Sequence, residues 1–378
     1  DGVLEKKGTA VIEMLVDYLL PEGDVMALKK GDHITLTTAP KSGGTYNYTG
    51  SSTESVPRAA ISRDPGNRKP FISAADGGNA DETSFTADHI IFDGRNLAGS
   101  TDGGAIQTKN CDVTVTDVQF RNFVAGNGGG IYVDFNRAEG NLTVRNSEFE
   151  NCISQSTKNR QGGGAIWTSA QTFTAEDIRF VSCSAGDQGG AVFHRIDSNY
   201  SYKRESETTA VRCTFTDCHA KAAGGMELDS FKVTVKDCRF TDCYATDRNG
   251  GGLNIYIHDS ADSPENTTVY VEGCDFRGCS AVKTNGGGLR SSALHTTVKD
   301  CGFYDCTAKN GGGLCLTNAN GLISIVENCT IQGCTASESG GGLNCITVKA
   351  ELVVDGCRIQ GNTASKFGGG IYTTTNMT

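Results

Sequence analysis

Proline is scarce and long apolar runs are missing from this sequence of 378 residues, which contains six prolines. No run approaches the roughly 18 apolar residues that a membrane-spanning helix needs, so no membrane span is expected. The formal net charge is −10 and the sequence has no basic block, which argues against a nucleic-acid partner, because phosphate binding needs clustered Lys and Arg. We expect no signal peptide in this sequence and interpret it as an excised or processed piece of a longer protein.

Cysteine is abundant, but the spacings that mark zinc sites are missing. The 16 cysteines include no C-x-x-C pair and no Cys/His cluster, so we expect neither a metal nor another cofactor. The spacing that recurs is C-x-x-x-x-C, as in Cys213 and Cys218, and it follows a longer repeat.

Glycine runs mark that repeat at intervals that are shortest near 26 residues, and the longer intervals carry insertions. The 49 glycines are therefore in register rather than typical of a disordered chain. The runs end at Gly104, Gly130, Gly164, Gly190, Gly225, Gly252, Gly288, Gly313, Gly342 and Gly370.

A second recurring sequence motif lies between the glycine runs. Cys213-Thr-Phe-Thr-Asp-Cys218-His-Ala220 returns four times with small changes. Residues two apart share one face of a strand, so this pattern and the Gly-Gly-Gly-Leu segment predict three short strands in each repeat. Glycine triplets would break a helical solenoid. The sequence therefore predicts an all-β fold, a right-handed single-stranded parallel β-helix of about ten to thirteen coils with an irregular N-terminal cap.

Equivalent residues of such coils stack in columns. The sharpest expectation is a single interior column that contains Phe215, Phe240, Phe276 and Phe303. Two cysteine columns follow in the same way, and their thiols are either free buried groups or partners in inter-coil disulfides. Free thiols are favoured, because stacked Cβ vectors run parallel and suit a disulfide poorly. One column contains Cys213, Cys238, Cys274, Cys301, Cys329 and Cys357, and the other contains Cys152, Cys183, Cys218, Cys243, Cys279, Cys306 and Cys334.

The N-terminal part lacks the glycine repeat. We assign residues 1–85 to a cap with irregular first coils and residues 86–378 to one continuous repeat domain; a separate N-terminal domain is the alternative. Segment 12–20 fits a capping helix or a strand.

Two sets of residues carry a resemblance to known families. Gly-Gly-Ala-Ile at 103–106 and 163–166, and Gly-Gly-Ala-Val at 189–192, resemble the repeats of polymorphic outer-membrane proteins, whose Phe-x-x-Asn partner remains only as Ile359-Gln-Gly-Asn362. Segments 34–39 and 91–94 resemble the start of β-helix regions in large surface proteins of gut Gram-positive bacteria. The resemblance implies a bacterial adhesin that is secreted or attached to the cell surface.

Catalysis is the first alternative, because parallel β-helices also include polysaccharide lyases and hydrolases of the pectate-lyase-like class. Galacturonan hydrolases would show Asn-Thr-Asp, Asp-Asp, Gly-His-Gly and Arg-Ile-Lys, and none of these occurs. The six histidines are scattered singly. Acidic residues recur beside the cysteines, which fits a solvated outer side or a stacked Asp/Asn turn. They are Asp217, Asp237, Asp242, Asp300 and Asp305. We predict no catalytic residue and a chain that is not an enzyme.

Binding through inserted loops is the favoured function, because solenoids keep insertions on one side and often bind there. A host protein or glycan is the expected ligand, the chain is expected to be monomeric, and a passive stalk is a further alternative. Tyr and Arg are enriched at binding hot spots. The candidate ligand-binding residues are His194, Arg195, Tyr200, Tyr202, Lys203, Arg204, Tyr256, His258 and Asp259.

Overall fold

The computed structural model describes residues 8–38, 58–74, 83–99, 102–136, 140–196, 206–257, 267–318, 323–347 and 351–378. Within these ranges the chain is a right-handed parallel β-helix without α-helices, which confirms the predicted fold class. No helix of the described residues is long and apolar enough to cross a membrane. Four parallel sheets run along the coil axis, and from Asp112 onward the chain visits sheets 1, 2, 3 and 4 in turn.

Sheet 1 has 13 strands. They are β1 (Thr9–Met14), β4 (His33–Thr38), β7 (Ser84–Asp88), β10 (Asp112–Thr116), β14 (Asn141–Arg145), β18 (Thr172–Glu176), β22 (Glu207–Val211), β26 (Lys232–Lys236), β30 (Thr268–Glu272), β34 (His295–Lys299), β38 (Ile323–Glu327), β42 (Glu351–Asp355) and β46 (Asn376–Met377).

Sheet 2 has 12 strands. They are β2 (Tyr18–Leu20), β5 (Ala59–Arg63), β8 (Ile90–Asp93), β11 (Gln119–Arg121), β15 (Glu148–Glu150), β19 (Arg179–Val181), β23 (Thr214–Thr216), β27 (Arg239–Thr241), β31 (Asp275–Arg277), β35 (Gly302–Tyr304), β39 (Thr330–Gln332) and β43 (Arg358–Gln360).

Sheet 3 has nine strands. They are β12 (Val124–Ala125), β16 (Ile153–Ser154), β20 (Ser184–Ala185), β24 (His219–Ala220), β28 (Tyr244–Ala245), β32 (Ser280–Asn285), β36 (Thr307–Asn310), β40 (Thr335–Ser339) and β44 (Thr363–Ala364).

Sheet 4 has 12 strands. They are β3 (Met26–Leu28), β6 (Ile72–Ala74), β9 (Ile106–Lys109), β13 (Ile131–Asp134), β17 (Ile166–Thr168), β21 (Val192–Arg195), β25 (Met226–Asp229), β29 (Leu253–Ile255), β33 (Leu289–Ser291), β37 (Leu314–Asn318), β41 (Leu343–Thr347) and β45 (Ile371–Thr373).

The prediction of three strands per repeat was wrong, because most coils contain four. Asp237, with a φ of 54°, makes a left-handed turn that separates Val235 in sheet 1 from Phe240 in sheet 2. Asp242, with a φ of 53°, makes the next turn, before sheet 3. Aspartate tolerates this conformation better than most residues. Asp217, Asp300 and Asp305 also have positive φ, so the recurrent acidic residues are stacked turns.

The interior column of phenylalanines is confirmed. Phe215 and Phe240 lie face to face with ring centroids 4.5 Å apart, and the Phe240–Phe276 and Phe276–Phe303 distances are 4.8 and 4.9 Å. All four side chains are fully buried. The column extends in the N-terminal direction through Phe180, Phe149 and Phe120.

The cysteines of the described coils are free thiols. Each ladder thiol donates a weak hydrogen bond to a backbone carbonyl, such as Cys213 Sγ to the Ala175 oxygen at 3.5 Å. Burial raises the pKa of the Cys213 thiol well above its ordinary value, which keeps it in the protonated, unreactive form.

The first coils join the same sheets as the later ones. Strand β1 pairs with β4, and β4 pairs with β7 in sheet 1. Segment 12–20 contributes to strands β1 and β2 and not to a capping helix. The boundary between residues 85 and 86 stays a prediction.

Candidate functional site

The outer face of sheet 4 carries a central column of side chains, one from each strand after β3. In strand β25 the apolar residues Met226 and Leu228 point into the core, so Glu227 between them points outward. The pairing of neighbouring strands places the equivalent outward residue of each coil in the same column. Its members are Ser73, Gln107, Tyr132, Trp167, Phe193, Glu227, Asn254, Arg290, Cys315, Asn344 and Tyr372.

This column changes character along the rod. Tyr132 and Trp167 stack with ring centroids 4.4 Å apart, and Phe193 follows on the next strand. Glu227, Asn254 and Arg290 then replace the aromatic residues. Outward side chains of a solvated sheet face are usually exposed, yet Glu227 is 5% exposed and Asn254 is 4% exposed. Polar groups are therefore buried on the outside of the rod.

A groove with a cavity of about 250 Å³ lies over this polar part of the column. That volume is slightly below the usual range of about 300–1,000 Å³ for small-molecule sites. Phe193 and Tyr256 contribute aromatic surface to its walls, and the remaining walls are mostly polar. The polar lining residues are Asn159, Arg160, Gln188, Arg195, Glu227, Asp229, Arg248, Asn249, Asn254 and Arg290.

Two ion pairs fix the edges of the groove. Arg248 pairs with the buried Asp187 and also donates from Nη1 to Asn159 Oδ1 at 3.3 Å. Arg195 Nε lies 3.7 Å from Asp229 Oδ2. Burial raises the pKa of the Asp187 carboxyl, and the charge of Arg248 opposes that rise.

Glu227 lies at the floor of the groove with only one carboxyl oxygen satisfied. Gln188 Nε2 donates to Oε1 at 3.1 Å, whereas the buried Oε2 has no hydrogen-bond partner among the described residues. Burial raises the pKa of Glu227 to about 7, Arg248 and Arg290 oppose the rise, and two aspartates reinforce it. Near neutral pH this carboxyl is therefore protonated in a large fraction of molecules.

Arg290 lies two coils from Glu227, and its hydrogen bonds within the described part of the chain are to neutral acceptors. Its Nη2 donates to Thr317 Oγ1 at 2.9 Å and its Nη1 to Asn254 Oδ1 at 3.5 Å. The guanidinium lies over the Tyr256 ring at 5.6 Å, and its buried Nε has no partner.

Two of the nine residues predicted to bind ligand, Arg195 and Tyr256, line the groove. His194 was a wrong prediction, because its side chain points inward and is fully buried. Its Nε2 donates to the Ala170 carbonyl at 2.8 Å, and Thr208 Oγ1 lies 2.6 Å from Nδ1. The other six predicted residues lie outside the described ranges. They are Tyr200, Tyr202, Lys203, Arg204, His258 and Asp259.

The sequence did not lead us to predict that the charged residues Glu227 and Arg290 lie in the same groove. Glu227 and Arg290 occupy the second position after the glycine runs, where other coils have Tyr132, Asn254 or Asn344. Aligning that position from coil to coil would have shown the two charges close together. Within the described residues, no group of three or more His, Cys, Asp or Glu side chains could hold a metal ion.

Comparison with known proteins supports the fold and no particular function. The model of the right handed beta helix region family matches residues 231–378. The matched part includes Arg248, Asn254 and Arg290 but not Glu227. Neither the comparison with curated proteins nor that with solved structures gave a match.

Proposed function

We propose that this chain is a saccharide-binding module of a secreted or cell-surface bacterial adhesin, which acts as a monomer and holds its ligand in the groove of sheet 4. The observation that carries the proposal is the pair of buried, unsatisfied polar atoms, Glu227 Oε2 and Arg290 Nε. Buried polar groups in folded proteins almost always have partners, so a ligand that supplies both is the simplest complement.

A saccharide fits this chemistry better than an apolar ligand. Each sugar hydroxyl both donates and accepts, and the groove offers acceptors on Glu227 beside donors on Arg290. Tyr256 adds an aromatic surface that is 40% exposed, against which the apolar face of a sugar ring can pack.

The location agrees with binding through inserted loops. The two largest insertions in the repeats begin directly after β21 and β29. Arg195 is the last residue of β21, and Tyr256 directly follows β29. The resemblance to surface-protein repeats supports the assignment to an adhesin.

The proposal is tested by measuring the affinity of the chain for an oligosaccharide panel by calorimetry. Tyr256→Ala is expected to weaken binding by about 1–2 kcal/mol, as for a hot-spot aromatic residue. Tyr244→Ala is the matched control, because Tyr244 is 36% exposed but lies on sheet 3. A panel without any bound saccharide, or equal losses in both variants, would refute the proposal.

Cleavage of a glycosidic bond is the second candidate function. It is favoured by the pKa of Glu227, about 7, which suits a general acid at neutral pH, and by Asp229 on the same face of the strand. The discriminating measurement is the release of reducing ends from the same panel. Release that is lost in Glu227→Gln would indicate an enzyme, and bound but uncut saccharide would indicate a binding module.

A further inference from the structure

Some of the charged side chains around the groove form ion pairs with each other, and others do not. Four guanidinium groups and three carboxyl groups line it or lie at its edge, and two pairs are in direct contact. Those pairs are Arg248 with Asp187 and Arg195 with Asp229. Arg160, Glu227 and Arg290 lie outside these two pairs, and within the described residues neither Glu227 nor Arg290 has an opposite charge within ion-pair distance.

The positive charge of the Arg290 guanidinium is therefore not neutralised by an anion among the described residues. Its two hydrogen-bond acceptors are the neutral oxygens of Asn254 and Thr317. Burial lowers the pKa of this guanidinium, but an arginine remains charged at any physiological pH. A desolvated cation without an anion is costly, and a carboxylate is the partner whose geometry matches the guanidinium fork.

Glu227 does not supply that anion. Asn254 lies between Glu227 and Arg290 in the register, so the two backbones are separated by two coils, about 10 Å. The unpartnered Oε2 of Glu227 is buried, and a protonated carboxyl there is a hydrogen-bond donor.

We infer that the saccharide held in the groove is acidic, with its carboxylate on the guanidinium of Arg290 and its ring hydroxyls against Asn254 and the carboxyl of Glu227. This inference rests on the proposed function and narrows it to sugars that carry a carboxylate. A uronic acid and a sialic acid both supply this group, and separate arms of the experiment distinguish them.

Ionisation of Glu227 would oppose such a ligand, because it would add a second negative charge close to the ligand carboxylate. Since the pKa of Glu227 is about 7, affinity should fall as the pH rises through that value. The charged groups that face Glu227 are Arg248 and Asp187 at the groove edge, Asp229 on its own strand and Arg290 on β33.

The experiment measures calorimetric affinity of the full chain for matched ligand pairs. One pair is sialyllactose and lactose, and the other is a glucuronic-acid-containing tetrasaccharide and its carboxyl-reduced form. In at least one pair the acidic member should bind more tightly, and Arg290→Gln should weaken it by about 10- to 100-fold, a larger factor than for the neutral member. Arg290→Lys should restore only part of the loss, because an ammonium lacks the fork.

Arg277→Gln is the matched control. Arg277 also lies over a tyrosine ring, Tyr304, at 4.1 Å, but on sheet 2, and its replacement should leave binding unchanged. The Glu227→Gln variant should still bind the acidic ligand, and its affinity should no longer fall between about pH 6 and about pH 8. Circular dichroism and the Tm of each variant show that the fold is retained.

Each result decides the question. Equal binding of acidic and neutral members overturns the acidic-ligand inference and leaves saccharide binding intact. Absence of binding to every saccharide overturns both. Binding of an acidic peptide instead of any saccharide, if it depends on Arg290, overturns the saccharide class as well.

Discussion

Phenylalanine occupies the same interior position in seven consecutive coils, from Phe120 to Phe303. One residue type recurs because each ring packs on the ring of the neighbouring coil, and a parallel offset of about 4.8 Å suits stacked aromatic rings. The column is therefore a packing requirement that repeats with the coil.

Removing one ring should open a cavity that the neighbouring rings cannot fill. Phe240→Ala is expected to lower the free energy of unfolding by about 3–5 kcal/mol, measured by urea denaturation. Phe367→Ala is the control, because that side chain is 60% exposed, and its loss should be below about 1 kcal/mol. Similar losses in both variants would contradict the stacked column.

His194 gives the protein a pH-dependent stability. Burial lowers the pKa of His194 to about 4 from the ordinary value of 6.5. Between these values the unfolded chain binds a proton that the folded chain does not, so stability should fall as the pH drops from 6.5 towards 4. The full effect is about 3 kcal/mol, and it is absent above pH 6.5.

The His194 prediction is checked by urea denaturation of the protein and of His194→Gln over this pH range. The variant should show a shallower decline, because glutamine does not titrate, whatever its stability at neutral pH. His33→Gln, at an exposed side chain, controls for the loss of a histidine as such. Parallel pH profiles for His194→Gln and the unmodified protein would contradict the assignment.

Among the elements, the glycine runs form the tightest bends. A Cβ on Gly190 would overlap the backbone oxygen of Gly224 in the next coil, whereas a Cβ on the equivalent Gly369 would meet its nearest atom, the Asn362 oxygen, at 3.0 Å. Gly190→Ala should therefore cost about 2–3 kcal/mol and Gly369→Ala less than about 1 kcal/mol. Thermal unfolding of the two variants measures the difference, and an equal Tm would show that the bends are not close-packed.

Strand positions were predictable where one residue type recurs, and less so where the type varies. The Phe column and the inward Leu253 follow from spacing alone. The turn at Asp237 was predicted only as one of two alternatives, because it has no glycine and the left-handed conformation of an aspartate leaves no mark in composition. His194 and Arg195 were both assigned to the surface, although neighbouring residues of a strand point to opposite sides.

The groove was harder to predict than the fold, because its residues come from different coils. Glu227 and Arg290 are 63 positions apart in the sequence, and the coils between them differ in length. Their proximity depends on the coil-to-coil register, which insertions obscure. Burial of outward polar groups is also a property of the assembled face, and no single repeat shows it.

At the scale of the whole molecule, each coil contacts mainly the coils before and after it, as in other solenoids. Cys329 and Cys357 occupy equivalent positions 28 residues apart, and Thr330 pairs with Arg358. Deleting residues 330–357 would therefore remove one complete coil and join Cys329 to Arg358 in the register that Thr330 had occupied. The columns of sheets 1 to 4 would remain continuous, and the groove at Glu227 to Arg290 would keep its neighbours.

This one-coil deletion should fold into a shorter rod with an unchanged circular dichroism spectrum per residue and unchanged affinity for any groove ligand. A variant with a deletion of about half that length, beginning at the same residue, should instead aggregate. The shifted register would place interior apolar residues in turns and polar residues in the core. Size-exclusion chromatography with light scattering distinguishes the two results. If the half-coil deletion folds as well as the full one, stability does not depend on residue columns that stay in register along the rod.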